Sequence, residues 1–353
     1  MTGELIPVQL VTAAGELFRK ASHVVVVTHM SPDGDALGSA LAIQHYLEVQ
    51  GKTVSVFVPN NFPPFFNWMP KADRIIIYAP EDMAHNKVLE EADLVVCTDF
   101  NTPKRIGMLG LKIFGLSCPK ILIDHHLYPD SFADVTISFP QTPSSSELVY
   151  RLVKQLHEPQ MPSLCTDFYT CIYTGMMTDT GNFSFNSNYP EMYEIVAELV
   201  RAGVDKDAVY DHVFNSHTAD RMRLMGYCLY SKMQLFPEEH AALICLTRKD
   251  LYRFNFQSGD AEGLVNLPMQ IQGICYSCFM REDKVYENER HLANGSNKKV
   301  KISMRSKGNR PVNTFCADIF HGGGHKNASG GEFYGSVEDA MALFMQHYKT
   351  YCK

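Results

Sequence analysis

The chain has 353 residues, of which 45% are hydrophobic and 20% charged. These proportions are ordinary for a globular protein with a large buried core, and they exclude a disordered, collagen-like or coiled-coil chain. The formal net charge of −7 excludes an overall basic field that would hold long duplex DNA without sequence preference. Against a prior of roughly 150 residues per domain, the length predicts two domains.

The ten cysteines are scattered through mostly apolar runs, which favours reduced core thiols over a disulfide framework. Cys275 and Cys278 form one CxxC pair without a second, so structural zinc, which needs about four ligands, is disfavoured. The N-terminal residues lack the basic-then-apolar order of a signal peptide. The longest apolar stretches fall short of the ~20 residues that span a bilayer. We therefore expect a soluble, cytoplasmic protein that does not bind membranes.

The N-terminal half alternates between strand-like and helix-like patterns. A continuous β-branched run at 24–28 is typical of a strand buried on both faces, and the apolar stripe after it predicts a helix at 36–50. The other elements predicted in this half are strands at 53–58, 93–98 and 120–124 and a helix at 81–92. This alternation favours an α/β fold with a mostly parallel sheet flanked by helices.

Helical patterns dominate the middle of the chain, and strands dominate its end. Serines open a predicted helix at 144–157, where Glu147 is placed to complete a capping box. The elements that follow are helices at 163–177 and 191–202, a helical region at 204–232, strands at 241–246, 274–280 and 299–305, and a last helix from about 337. We therefore predict a first domain over 1–187, a helical linker over 188–232 and a smaller mixed-sheet α/β domain over 233–353, with a cleft between the domains.

Four polar clusters stand at the ends of these predicted elements. Their members are His29, Asp33, Asp35, Asp99, Asp124, His125, His126 and Asp179. Any one cluster alone is typical of a turn or a helix cap. In open parallel sheets, however, ligands bind beyond the carboxyl ends of the strands. So many acidic and imidazole groups in one crevice would repel or desolvate one another without a cation, so the clusters indicate a metal site.

The kinds of ligand narrow the choice of metal. Carboxylates with imidazoles and without a thiolate suit Mn²⁺ or a related divalent ion better than structural zinc. The candidates are too many for one ion, which favours two ions that share a carboxylate. Two ions about 3.5–4 Å apart are the usual apparatus for displacement at phosphorus, because they activate water and clamp the phosphate oxygens. We predict two divalent ions, Mn²⁺ first, with Mg²⁺ or Co²⁺ as alternatives.

In their order and spacing, these clusters resemble the four motifs of the DHH phosphoesterase superfamily. Two C-terminal segments, which begin at Arg305 and Gly322, resemble the companion DHHA1 domain. The chain is similar over almost its whole length to two-domain bacterial enzymes that degrade very short oligoribonucleotides (nano-RNases) and dephosphorylate 3′-phosphoadenosine 5′-phosphate (pAp). The resemblance implies a catalytic DHH domain at 1–187 and a substrate-binding DHHA1 domain at 233–353.

The resemblance also implies roles for single residues. The metal ligands it implies are His29, Asp33 and Asp99 for one ion, and Asp35, Asp99, His125 and Asp179 for the other, with Asp99 as the bridge. The catalytic residues it implies are Asp99, Asp124, which orients a neighbouring ligand or turn, and His126, which faces the substrate phosphate. The substrate-binding residues it implies are Arg305, Ser306, Gly322, Gly323, Gly324, His325 and Asn327.

The residues of the C-terminal segments leave two interpretations open. Gly322–Gly324 are able to form an anion-binding nest of backbone N–H groups, because glycine accepts positive φ. Arg305, near a strand end, is able to grip a phosphate with two parallel hydrogen bonds. The alternative is a glycine-rich turn that joins two strands. Neither a Walker loop nor a GxGxxG nucleotide fingerprint is present.

Other branches of the superfamily fit less well. A RecJ-type exonuclease would be longer, a membrane-bound cyclic-dinucleotide phosphodiesterase would carry transmembrane segments, and a family II pyrophosphatase has a different C-terminal domain. A soluble phosphodiesterase for pApA or cyclic di-AMP remains an alternative.

From a different class, a non-catalytic nucleotide sensor would tolerate the loss of a ligand, whereas here every expected position is filled. We expect the protein to bind short RNA or phosphate-bearing nucleotides, and not long duplex DNA or membranes. A homodimer is a possible oligomeric state.

Overall fold

The computed structural model describes residues 5–285 and 296–351. The chain forms two compact units, Met1–Ser216 (unit 1) and His217–Lys353 (unit 2), each with its own six-stranded sheet. The predicted α/β class, with a parallel first sheet and a mixed second sheet, is confirmed. The predicted domain boundaries, with a separate linker over 188–232, stay a prediction. Within the described ranges, no helix is both long and apolar enough to cross a membrane.

The sheet of unit 1 is entirely parallel, in the order β3-β2-β1-β4-β5-β6. Its strands are β1 His23–Val27, β2 Thr53–Val58, β3 Ile76–Ile77, β4 Leu94–Thr98, β5 Lys120–Asp124 and β6 Val135–Ser138. Every residue of the central strands β4 and β5 is buried, because helices cover both faces of the sheet.

Unit 1 has eight α-helices in the part of the chain that is described. They are α1 Val8–Lys20, α2 Gly34–Glu48, α3 Met83–Glu90, α4 Gly107–Ile113, α5 Ser145–Leu156, α6 Thr166–Asp179, α7 Pro190–Arg201 and α8 Lys206–Phe214. Successive residues of β1 alternate between two cores. Val24 and Val26 pack into the core that includes residues of α1, α2, α5 and α6, whereas Val25 and Val27 pack into the core formed with α3 and α4.

Glycines let α2, α5 and α6 approach one another closely. A Cβ atom on Gly175 of α6 would lie 1.9 Å from Ser146 Oγ of α5 and 2.8 Å from Asp35 Oδ1 of α2. A Cβ atom on Gly38 of α2 would lie 2.5 Å from the carbonyl of Cys171 in α6. These three helices therefore meet at positions where no side chain fits.

Unit 2 is built on a mixed sheet in the order β11-β12-β10-β9-β8-β7, in which β8 and β9 are parallel and the other pairs antiparallel. Its strands are β7 Met233–Phe236, β8 Ala241–Leu246, β9 Tyr276–Lys284, β10 Lys298–Ser306, β11 Gly323–His325 and β12 Ala328–Phe333. Its α-helices are α9 Ala219–Tyr227, α10 Arg248–Arg253, α11 Asn313–Phe320 and α12 Val337–Tyr351. Met280 and Ile302 of the sheet pack against Phe315 of α11 and Phe344 of α12 in one core.

Short helical segments connect these elements. Segments of 3-10 helix span Pro64–Phe66, Ala72–Arg74, Pro103–Ile106, Pro237–Glu239 and Leu264–Gln270, and a π-helix spans Cys228–Lys232. The nine described cysteines are all free, and Cys352 lies outside the described residues.

The capping box predicted for α5 forms only in part. Ser144 Oγ accepts a hydrogen bond from the N–H of Glu147 at 3.1 Å. The Glu147 carboxylate pairs instead with Arg151 and with the hydroxyl of Tyr189. A complete capping box is present at α10, between Thr247 and Asp250.

Candidate metal centre

The candidate site lies at the carboxyl ends of the three neighbouring strands β1, β4 and β5. His29 follows β1 by two residues, Asp99 directly follows β4, and His125 directly follows β5. Parallel strands end at the same edge of a sheet, so this topology brings the three segments together.

Asp99 lies at the centre of the site. It is 2% exposed, and its backbone is left-handed, with a φ of 64°. Its Oδ2 atom is 3.2 Å from His29 Nε2, and its Oδ1 atom is 3.5 Å from His125 Nε2. Oδ1 also accepts a hydrogen bond from Ser145 Oγ at 2.9 Å. The two carboxylate oxygens thus face two different imidazoles, which is the arrangement that a carboxylate shared by two ions requires.

The first ligand group consists of His29, Asp33 and Asp99, whose ligand atoms lie within 4.8 Å of one another. His29 Nδ1 lies 2.9 Å from the carbonyl of Met30, to which it donates, so Nε2 is the atom that faces the carboxylates. Asp33 caps α2, because its Oδ1 accepts the N–H groups of Asp35 and Ala36. Its Oδ2 atom lies 3.9 Å from His29 Nε2.

The second ligand group consists of Asp35, Asp99 and His125, with Asp179 beside it. His125 Nε2 lies 3.9 Å from Asp35 Oδ2 and 3.4 Å from Asp179 Oδ2. Its Nδ1 atom lies 3.2 Å from the carbonyl of Thr142, which orients the ring. Asp179 is the last residue of α6; it was predicted to follow that helix.

Asp35 is held by the start of α5. Its two oxygens accept the backbone N–H groups of Ser145 at 2.6 Å and Ser146 at 2.8 Å. The positive end of the helix dipole thus supports a buried carboxylate. Sequence reasoning treated these serines as a helix cap and missed their contacts with Asp35 and Asp99.

The electrostatics of the protein residues favour a cation. Burial and the charges of Asp99 and Asp179 raise the pKa of Asp35 well above its ordinary value. Burial by itself lowers the pKa of His125, but the carboxylates of Asp179, Asp99 and Asp35 outweigh it and raise that pKa to about 9. Divalent cations would neutralise this buried negative charge. The donors are nitrogen and oxygen atoms without a thiolate, so the residues present fit a pair of divalent ions such as Mn²⁺ or Mg²⁺.

His126 lies beside the two ligand groups. Its Nδ1 atom donates to Asp124 Oδ1 at 2.8 Å, and its backbone N–H donates to Asp124 Oδ2 at 3.1 Å. Asp124, which is fully buried, therefore fixes the orientation of this imidazole. The Nε2 atom of His126 accepts a hydrogen bond from Arg105 Nη1 at 2.8 Å.

Sequence reasoning missed Arg105. A lone arginine in a loop has no periodicity, and its one signal is its position six residues after Asp99.

The predicted substrate-binding residues lie in unit 2. Arg305 and Ser306 end β10, and Asn327 directly precedes β12. Asn327 Nδ2 donates to Ser306 Oγ at 2.8 Å and to the carbonyl of Gly308 at 3.0 Å. Arg305 Nη1 donates to the carbonyl of Met304 at 3.0 Å. The structure therefore brings Ser306 and Asn327 together, and substrate binding by this group stays a prediction.

The glycine run differs from both interpretations offered for it. Gly323–His325 form the edge strand β11, paired with β12, instead of a nest or a simple turn. A Cβ atom on Gly322 would lie 1.8 Å from the carbonyl of Gly330. Gly324 has a φ of 140°, and a Cβ atom there would lie 2.7 Å from the carbonyl of Ala328. Close contact with the neighbouring strand is thus a structural reason for Gly322 and Gly324, whereas a Cβ atom on Gly323 would meet no atom within 4 Å.

Comparisons with known proteins identify a family and relatives that cover most of the chain. Residues 23–176 match the DHH family, N-terminal domain. A bifunctional oligoribonuclease and PAP phosphatase NrnA from Thermus thermophilus is 25% identical over 315 residues, which cover 88% of this chain and 84% of that protein. The protein of the same name from Bacillus subtilis is 24% identical over 331 residues, 94% of this chain and 95% of that one.

A solved structure is similar over nearly the whole chain. It is an exopolyphosphatase-related protein from Bacteroides fragilis, 42% identical, with a TM-score of 0.88, and the match covers 99% of this chain and 98% of that one. The resemblance that the motifs indicated is therefore confirmed, and the chain belongs to the DHH family.

Proposed function

We propose that the protein is a metal-dependent phosphoesterase that hydrolyses short oligoribonucleotides and pAp. The observation that carries the proposal is the carboxylate of Asp99, whose two oxygens face His29 and His125 at 3.2 and 3.5 Å. The names of the relatives from Thermus thermophilus and Bacillus subtilis support this substrate class.

Two divalent ions, when bound, supply the positive charge that activates water and neutralises the phosphate oxygens. The residues that would hold them are His29, Asp33 and Asp99 for one ion and Asp35, Asp99, His125 and Asp179 for the other. We propose Mn²⁺ as the ion, with Mg²⁺ and Co²⁺ as alternatives.

The remaining roles fall to residues outside the ligand groups. Asp124 holds His126 in one orientation, and His126 assists the departing group. The residues that we propose to bind a substrate phosphate other than the one that is hydrolysed are Arg305, Ser306, Gly322, Gly323, Gly324, His325 and Asn327. The protein is proposed to act in the cytoplasm, as a monomer or a homodimer, on small substrates instead of long duplex DNA or membranes.

The test is a substrate panel run with purified protein and Mn²⁺. The panel contains pAp, pApA, cyclic di-AMP, pyrophosphate, polyphosphate, and RNA from dinucleotides to pentanucleotides. We expect the highest kcat/KM on pAp and the shortest RNAs, and loss of activity after chelation. Preference for cyclic di-AMP or pApA would indicate the alternative phosphodiesterase. Tight nucleotide binding without hydrolysis of any ester would contradict the proposal and indicate a sensor.

A further inference from the structure

Arg105 is held beside the metal centre by its backbone. It lies in the 3-10 helix Pro103–Ile106, in the loop that follows β4 and Asp99. Its carbonyl accepts the N–H of Met30 at 2.8 Å, which joins this loop to the loop that carries His29. The position of the arginine is therefore tied to the same strand ends that position the ligands.

The guanidinium of Arg105 has an unusual partner for a cation at an acidic site. It donates to His126 Nε2 at 2.8 Å. Among the described residues, no carboxylate oxygen lies within 4.0 Å of a guanidinium nitrogen of Arg105, the distance that defines an ion pair. The side chain is only partly buried. Its planar fork presents five N–H donors.

The orientation of His126 does not account for this arginine. Asp124 already fixes that residue through two hydrogen bonds, at 2.8 and 3.1 Å. The charge of the loaded site does not require the arginine either. The four carboxylates of the ligand groups balance the charge of two divalent ions, and the fifth nearby carboxylate, Asp124, is hydrogen-bonded to His126 and not to Arg105. The guanidinium therefore has positive charge to offer to an incoming anion. A phosphate is an anion with the geometry that a guanidinium recognises.

We propose that Arg105 binds the phosphate that is hydrolysed, exchanging its hydrogen bond to His126 Nε2 for the phosphate oxygens. This inference rests on the proposed function, since it concerns the substrate of the same site. The exchange has a second effect. It removes the hydrogen bond from Arg105 to His126 Nε2, so that this nitrogen is able to contact the phosphate that is hydrolysed or its leaving group. Arg105 is thus distinct from Arg305, which is proposed to bind a phosphate that is not hydrolysed.

The experiment compares Arg105→Ala and Arg105→Lys with a matched control, Arg74→Ala. Arg74 lies in the same unit, but its guanidinium is paired with Glu48. Each variant is assayed with Mn²⁺ on bis-p-nitrophenyl phosphate, which has no second phosphate, and on pAp. Inhibition by inorganic phosphate and binding of Mn²⁺ are measured alongside.

We expect Arg105→Ala to lower kcat/KM by about 10²- to 10³-fold on both substrates, as the loss of one charge-stabilising donor does in other active sites. Inhibition by inorganic phosphate should weaken, and Mn²⁺ binding should stay unchanged. Arg105→Lys should recover part of the activity, and Arg74→Ala should behave as the unaltered protein.

Three outcomes would overturn the inference. One is near-normal hydrolysis of both esters by Arg105→Ala. Another is unchanged inhibition of Arg105→Ala by inorganic phosphate, together with a loss of kcat/KM that equals the loss in His126→Ala and is no larger when both substitutions are combined. Arg105 would then only orient the imidazole of His126. The third is loss of Mn²⁺ binding.

Failure of the proposed function would look different, because the unaltered protein would then hydrolyse neither short RNA nor pAp. Calorimetry of inorganic phosphate with the Mn²⁺-loaded protein would still decide whether Arg105 binds the anion. Equal phosphate affinity of the unaltered protein and Arg105→Ala would then contradict the inference.

Discussion

Asp99 meets two requirements at one position. Its carboxylate faces imidazoles on both sides, and its backbone adopts a φ of 64° directly after β4. The left-handed region costs most L-residues about 1–2 kcal/mol, whereas asparagine and aspartate enter it more readily. The chemistry of the site and the turn of the chain therefore both favour an aspartate here.

Replacing Asp99 by Asn and by Ala separates these two requirements. Both variants should fold but lose Mn²⁺-dependent hydrolysis of bis-p-nitrophenyl phosphate by orders of magnitude, since neither offers an anionic bridge. Both remove the same charge, so Asp99→Ala should be less stable than Asp99→Asn by at least about 1 kcal/mol, because alanine enters the left-handed region less readily and also removes the acceptor of the Ser145 hydrogen bond. Chemical denaturation of the metal-free proteins measures this difference. Near-normal activity of either variant would contradict the shared-carboxylate assignment.

Asp250 should make the stability of unit 2 depend measurably on pH in the acid range. Its carboxylate accepts hydrogen bonds from Lys232 Nζ at 2.7 Å, Tyr227 Oη at 2.8 Å and both donors of Thr247. Burial alone would raise the pKa of Asp250, but the bonds from Lys232 and Thr247 outweigh it and lower the pKa to about 2. The folded protein thus binds this proton less readily than the unfolded chain does.

The sign of the effect follows directly. Stabilisation by Asp250 is complete above the ordinary pKa of 3.8 and is lost as the pH falls towards 2. Asp250→Asn should therefore lower the free energy of unfolding by ~2 kcal/mol at neutral pH and flatten its decline in acid. Urea unfolding followed by circular dichroism over a pH series checks this expectation. If the free energy of unfolding of the variant declined with falling pH as steeply as that of the unaltered protein, other carboxyl groups would be responsible for the decline.

At the scale of helices, the site depends on the close approach of α2, α5 and α6. The first N–H groups of α5 hold Asp35, and Gly175 of α6 leaves room for that contact. The ligand geometry is therefore a property of three packed helices as much as of the ligands themselves.

Gly175→Ala tests this dependence. The added methyl group would lie 1.9 Å from Ser146 Oγ, 2.7 Å from Ser146 Cβ and 2.8 Å from Asp35 Oδ1, so the contact between α5 and Asp35 must change. We expect a loss of about 1–3 kcal/mol in stability and weaker Mn²⁺ binding by titration. Gly226→Ala in α9 is the control, because no atom within 4 Å meets its Cβ. It should be neutral or stabilising by up to ~1 kcal/mol. Equal effects of the two changes would contradict the packing argument.

The elements differ in how far the sequence predicts them. β2, β5 and β8 begin and end at the predicted residues, because short segments rich in apolar and β-branched residues, bounded by polar residues, are typical of strands. The helices α1, α4, α10 and α11 were not predicted.

Contacts from distant parts of the chain account for the remaining differences. Tyr189 engages the Glu147 carboxylate that local sequence assigned to a capping box, and β11 owes its strand conformation to pairing with β12. Residue types and order indicated the metal centre, whereas the contacts of Arg105 and Ser145 appear only in three dimensions.

At the scale of the whole molecule, the two units carry different parts of the proposed chemistry. Every predicted metal ligand lies in unit 1, and every predicted substrate-binding residue lies in unit 2. Changes in the two units should therefore affect catalysis in separable ways.

Arg305→Ala examines this division. It should keep Mn²⁺ binding and hydrolysis of bis-p-nitrophenyl phosphate, which has no second phosphate to bind. Activity on pAp and dinucleotides should fall by the equivalent of ~2–4 kcal/mol, as expected for the loss of a charge-assisted contact. Arg105→Ala serves as the comparison, since it should impair both kinds of substrate. Equal losses of Arg305→Ala on both substrates, or none on either, would exclude phosphate binding by unit 2.

The strand order of unit 1 has a consequence for its local unfolding and hydrogen exchange. The strands that lead to the ligands, β1, β4 and β5, are each paired on both sides, while the edges are β3 and β6. Edge strands open in local fluctuations, whereas amide protons of central strands exchange with solvent only when the whole cooperative unit opens. Fraying of the edges should thus leave the ligands in place. Because the ions would bind the folded state alone, their removal should speed the exchange of these slowest amides.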